Sequence, residues 1–267
     1  MSAAVKVSCG SFALATYVSG QPEGAPWIVL SNSLGASAQM WEPQLPLLET
    51  RYRVLRYDTR GHGQSEAPHG PYMMEHLVGD VLTLCDHYHI QHTDFMGLSL
   101  GGMTGLGLAL HHADRFGKII CCDARADNPP AFIKSWDDRM AAIDAGGLQA
   151  IVHATMERWF VEEWRKAHPQ ALQDFVDVFL QTSPEGYKAC AQGLKHLDYF
   201  KDLGSIQVPM LYVVGDQDMG APPEVMRAMA QATPSAGLIV IPHAAHLPNI
   251  DHREAFNQAI AGFLDIA

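Results

Sequence analysis

Hydrophobic positions along the chain switch repeatedly between two spacings. Continuous or alternating apolar runs predict strands over 12–18, 27–31 and 53–58, each closed by Gly, Asn or Asp, which favour turns over extended backbone. The run WIVL at 27–30 has no polar position, so that strand is expected to be buried on both faces. Over 74–89 the spacing changes. Leu77, Val81, Leu84, Cys85 and Tyr88 recur every three or four residues, which predicts a helix. Further on, strands are expected over 94–97, 118–123, 209–215 and 238–241, with helices over 101–112, 223–232 and 253–267. Alternation of this kind implies an α/β fold: a mostly parallel central sheet with helices on both faces.

Between 125 and 195 no strand pattern occurs. Phe132, Trp136, Trp159, Phe160, Trp164, Phe175, Phe179 and Tyr187 fall in helical stretches there, and the segment holds three of the five tryptophans. It is expected to be an inserted helical cap, with junctions near Pro129-Pro130 and Gln207-Val208-Pro209. The sheet domain would then comprise 1–124 and 196–267, and the cap 125–195. The cap has 8 basic and 10 acidic residues against 10 and 19 elsewhere, so it is the less negative part. A chain of 267 residues buries about 75% of its extended surface on folding, enough for one core without disulfides or metal.

The formal net charge of −11 disfavours nucleic acid and anionic membranes as partners, since both would repel it and no basic run offsets the balance. A small-molecule partner is favoured. The first 21 residues lack a basic segment followed by an apolar run, and no apolar stretch reaches the ~18 residues of a membrane helix, so a soluble, cytoplasmic protein is expected. Cys9, Cys85, Cys121, Cys122 and Cys190 form an odd set without C-x-x-C, which suits reduced core thiols. Oligomeric state leaves no mark on the pattern.

The strongest chemical signal is Gly97-Leu98-Ser99-Leu100-Gly101-Gly102, a G-x-S-x-G between an expected strand and an expected helix. So tight a turn exposes the hydroxyl, but a serine attacks only with a base in reach and an acid orienting that base. Asp218, after the strand at 209–215, is the preferred acid over Asp216, which more simply supports its loop. His246, after the strand at 238–241, is the preferred base, with His243 as competitor. A metal site built from His243, His246 and Asp218 is set aside, because no helical H-E-x-x-H or further ligand cluster accompanies them. Oxyanion donors are expected from the N–H of Leu100, directly after the serine, and of Leu34 in the loop Asn32-Ser33-Leu34-Gly35. The polar loop at 58–65 reads as a structural brace.

Taken in order, SNSLG, RYDTRGHGQS, GLSLGG, GDQD and AAHLPN resemble the α/β-hydrolase superfamily along essentially the whole chain. Within it, SNSLGASAQMW, GLSLGGMTG and SWDDRMAAIDAGGLQAIVHATMERWF resemble the 3-oxoadipate enol-lactonase family of aromatic-compound degradation. The resemblance implies the triad Ser99, Asp218 and His246 and no cofactor. Asn32-Ser33 replaces the His-Gly common in the superfamily, a departure shared by the lactonases, which makes Ser33 a candidate hydrogen-bond partner of a lactone. The implied substrate is a five-membered lactone bearing a carboxylate, so a cation is expected in or near the cap. Arg139, on the same helical face as Trp136, is the first candidate, with Lys134, Arg125 and Arg158 as alternatives, and Trp136 would form an apolar wall. Competing readings are a carboxylesterase, a carbon–carbon bond hydrolase or a perhydrolase on the same triad, and a non-catalytic ligand-binding protein of this fold.

Overall fold

The computed structural model of the chain describes residues 4–266. Strands β1 (Val5–Ser8), β2 (Ala13–Gly20), β3 (Trp27–Ser31), β4 (Arg53–Tyr57), β5 (Thr93–Leu98), β6 (Phe116–Cys122), β7 (Met210–Gly215) and β8 (Gly237–Ile241) build one sheet. Its order is β1-β2-β4-β3-β5-β6-β7-β8. The pairs β1–β2 and β2–β4 are antiparallel, and the other five are parallel. Ile28, Val29 and Leu30 of β3 are completely buried, as an unbroken apolar run between two neighbouring strands requires. β1 was not expected from the sequence. It is a four-residue edge strand in which only Val7 is buried, too short for its alternation to register.

Among the described residues, three α-helices precede β6: α1 (Leu45–Leu48), α2 (Met74–His87) and α3 (Leu100–His111). α3 lies on β3, β5 and β6 and packs against α2. α2 stops two residues short of its expected end because His89 turns left-handed at φ 56°, letting the Ile90 N–H close back on the Cys85 carbonyl. Between β6 and β7 come α4 (Pro130–Gly146), α5 (Gln149–Trp159), α6 (Glu162–Ala167), α7 (Pro169–Leu180) and α8 (Pro184–Leu194), and no strand among the described residues. Aromatic rings knit them together: Trp159 meets Phe175 and Phe179 edge-on, and Phe160 stacks on Trp164 at 4.4 Å. α9 (Pro223–Ala232) packs on β7 and β8, and α10 (Pro248–Asp251) and α11 (Arg253–Phe263) complete the chain. α11 ends earlier than the 253–267 expected, and residue 267 lies outside the described residues.

All five cysteines are free, four of them buried and Cys9 half-buried. The loop after β4 acts as a brace. Asp58 accepts from the Ala38 N–H at 2.8 Å, the Gln64 N–H at 2.9 Å and the Tyr17 hydroxyl at 3.0 Å. Arg60 grips Asp80 through two hydrogen bonds of 2.7 and 2.6 Å. Among the described residues no helix is long and apolar enough to cross a membrane.

Candidate active site

Ser99 occupies the single residue between β5 and α3, at φ 57° and ψ −114°. Such backbone costs a non-glycine residue about 1–3 kcal/mol, so the surroundings must impose it. They do so by crowding. A Cβ on Gly97 would stand 2.1 Å from the Gly101 carbonyl oxygen, and one on Gly101 would stand 2.2 Å from that of Ser31, so only glycine fits on either side. The Ser99 N–H donates to the Cys122 carbonyl at 2.8 Å, pinning the elbow to β6.

Asp218 follows the end of β7 and His246 the end of β8, so all three side chains leave the carboxyl ends of parallel strands, where open α/β sheets place their ligands. Asp218 is 3% exposed. Its Oδ2 lies 2.8 Å from His246 Nδ1, and its Oδ1 accepts from the Gly220 N–H at 2.7 Å. A carboxylate at Nδ1 holds the imidazole in the tautomer that leaves Nε2 free as a base. Ser99, Asp218 and His246 line one cavity of about 340 Å³. The Ser99 hydroxyl makes no hydrogen bond among the described residues, a contact that in such sites often tightens only once substrate is bound. Asp216 and His243, the competing candidates, are both exposed and do not line the cavity.

The loop of His246 is held from two sides. The Ala245 N–H donates to Asp251 Oδ2 at 3.1 Å, and the Leu247 N–H donates to the Trp159 carbonyl at 3.0 Å, at the end of α5. Ser33 and Leu34 line the cavity, and Leu100 does not, being buried beneath the elbow. The N–H groups of Leu34 and Leu100 have no hydrogen-bond partner among the described residues. The loop that carries Leu34 is tied down by Asn32, whose carbonyl accepts from the Gly101 N–H at 3.0 Å and whose side chain donates to the Tyr57 carbonyl.

The wall contributed by α4 and α5 contains Trp136, Arg139 and Arg158. The Trp136 indole N–H is buried without a partner. The Arg139 guanidinium lies 4.4 Å over the Trp136 ring. Arg158 donates to the Thr155 hydroxyl at 3.1 Å, and burial, aided by the positive charge of Arg139, pulls its pKa down to about 10. It therefore remains charged at neutral pH. Neither arginine forms a salt bridge among the described residues, although the Glu157 charge acts weakly on Arg158, whereas Arg125, also on the cavity wall, is paired with Asp127 at 2.8 Å. Lys134, another candidate, lies away from the cavity, exposed and bound to Asp138.

One residue of this region escaped the sequence reading. Asp123, directly after β6, is fully buried at φ 47° and lines the cavity. Its Oδ1 accepts from the Gly215 N–H at 2.9 Å, and its Oδ2 has no partner. Burial, reinforced by the nearby Asp218 charge, raises its carboxyl well above the usual carboxylate range. The signal available was an acid directly after the apolar strand KIICC. Asp123, Asp218 and His246 each bring a ligating atom within 4.8 Å of the others, close enough to share a metal ion. The short Asp218–His246 contact, however, is one that a proton already bridges.

A profile of the alpha/beta hydrolase fold family matches residues 26–253. 3-Oxoadipate enol-lactonase 1 of Acinetobacter baylyi is 35% identical over 91% of this chain and 90% of its own length. A Caulobacter sp. (strain K31) protein provisionally named a carbamate hydrolase, RutD, is 31% identical over 89% of this chain and 90% of its own. The crystal structure of the enol-lactonase from Burkholderia xenovorans LB400 superposes with a TM-score of 0.93 at 39% identity, covering 98% of this chain and all of that one.

Proposed function

The chain belongs to the α/β hydrolase fold family, and on that basis we propose that it is a serine hydrolase opening a carboxylate-bearing lactone, 3-oxoadipate enol-lactone, to 3-oxoadipate. Ser99 attacks the ring carbonyl while His246 takes its proton and Asp218 steadies the imidazolium. The N–H groups of Leu34 and Leu100 receive the oxyanion, each worth about 3 kcal/mol in such sites. Collapse of the tetrahedral adduct breaks the ring C–O bond. The proton on His246 passes to the leaving enol, which tautomerises to the ketone, and the acyl group stays on Ser99. Water, deprotonated by His246, then releases the acid and restores the hydroxyl. No redox step occurs, and the balance is lactone plus water.

The observation that supports this substrate is the pair Arg139 and Arg158. Two guanidiniums share a cavity wall with no salt bridge to either among the described residues, beside an unsatisfied Trp136 N–H. Like charges so placed are costly unless an anion joins them, and guanidinium forks match a carboxylate in shape. Trp136 supplies a flat apolar surface for the ring, and Ser33 a hydroxyl on the same cavity. The helices α4–α8 act in this reading as the cap, 125–195, over a core formed by 1–124 and 196–267.

Arg158→Gln should raise KM for the enol-lactone by about tenfold or more, the worth of one charged hydrogen bond, and leave hydrolysis of neutral p-nitrophenyl acetate within about twofold. Equal losses on both substrates would contradict a carboxylate clamp. In the same assay, a carbamate turned over faster than the lactone would overturn the substrate assignment.

A further inference from the structure

Asp123 takes no part in the chemistry above, yet it sits among the groups that do. It follows β6, between the strands that deliver Ser99 and Asp218, and it is held at φ 47°, a strained conformation for a non-glycine residue. Its N–H donates to the Val213 carbonyl at 2.9 Å and its Oδ1 accepts from the Gly215 N–H at 2.9 Å, so both backbone and carboxyl are clamped onto β7. The other oxygen, Oδ2, is buried with no donor to satisfy it, close to the Asp218 carboxylate.

Two ionised carboxylates offer each other only lone pairs. In a buried site they repel, and a shared proton removes both the repulsion and the orphaned oxygen. The groups facing Asp123 give no other relief. Asp218 and Asp251 are acidic, the Cys121 and Cys122 thiols beside it are neutral and buried, and the nearest imidazole, His246, is already bonded to Asp218. Arg125, two residues on, is bound to Asp127.

We propose that Asp123 is a positioning residue for the Asp218–His246 pair, standing as a neutral carboxylic acid whose Oδ2–H donates to the Asp218 carboxylate while Oδ1 accepts from Gly215. This rests on the roles given above to Asp218 and His246. Asp218 then receives three donors, from Asp123, Gly220 and His246, and has little freedom to rotate away from Nδ1. The added hydrogen bond also draws charge off Asp218, so the carboxylate stabilises a neighbouring imidazolium less than an unbonded one would.

The test is an NMR titration of the His246 imidazole, assigned by its loss in His246→Gln, in the unaltered protein, Asp123→Asn and Asp123→Ala. Asparagine keeps a neutral donor toward Asp218 and an acceptor for Gly215, so its His246 pKa should stay within about 0.3 unit of the unaltered protein. Alanine removes the donor, and its His246 pKa should rise by about 0.5 unit or more. An ionised Asp123 predicts the opposite sign: Asp123→Asn would delete a negative charge beside the imidazolium and lower its pKa by about one unit or more. That fall would overturn the proposal. If Asp123→Ala fails to fold, the asparagine comparison decides alone. Because the titration reads the imidazole rather than turnover, it decides on Asp123 even if Ser99 proves not to be the nucleophile.

Discussion

Asp218 shows how much of a residue's role depends on a single atom. Its Oδ2 faces Nδ1 of His246 at 2.8 Å, so Asp218→Asn would turn either an amide N–H or a neutral oxygen toward the ring and favour the wrong tautomer or lose the charge. Turnover of p-nitrophenyl acetate should fall by about 10³-fold or more with the fold intact by circular dichroism. A loss below tenfold would contradict the assignment. Ser99 was legible in the chain because the glycines that crowd it are part of the same pentapeptide. Choosing Asp218 over Asp216, or His246 over His243, was harder, because residues two or three apart on a loop differ only in which way the turn aims them. Burial separates the first pair: Asp218 is 3% exposed and Asp216 lies on the surface. Asp123 was not singled out, and Arg158 stood only as an alternative to Arg139, since the interest of Asp123 lies in an oxygen without a partner and that of Arg158 in its place on the cavity wall, neither of which can be read from one dimension.

The strand–helix alternation carried most of the architecture, because continuous apolar runs such as WIVL and PMLYVV have no stable place except inside a parallel sheet. Elements of four residues left no periodic trace: β1, α1 and α10 were all missed. The omission of α10 matters, since its last residue, Asp251, holds the His246 loop. Its Oδ2 accepts from the Ala245 N–H and, at 3.4 Å, from the Val161 N–H after α5. Asp251→Ala would leave these donors buried and unpaired, at about 1–3 kcal/mol. The expected outcome is a melting temperature lower by several degrees, together with a drop in kcat that exceeds any change in KM, because the loop that aims the base is loosened. An unchanged melting temperature and kcat would show that α10 does not hold the loop.

Over the entire chain, the net charge of −11 runs against the anionic substrate proposed above, so its recognition would have to be local. The segment 125–195 is the less negative part and brings Arg139 and Arg158 to the cavity, setting a small positive field inside a negative molecule. Hydrolysis of the proposed carboxylate-bearing lactone would create a second carboxylate, and a product of higher negative charge would be repelled more strongly by a molecule of net charge −11. All of this depends on Ser99 being an activated hydroxyl. The direct measurement is mass spectrometry of the protein after exposure to diethyl p-nitrophenyl phosphate. One diethylphosphoryl group should appear, map to the peptide containing Ser99, and vanish in both Ser99→Ala and His246→Gln. A protein that stays unlabelled, or is labelled at another side chain, would contradict the account.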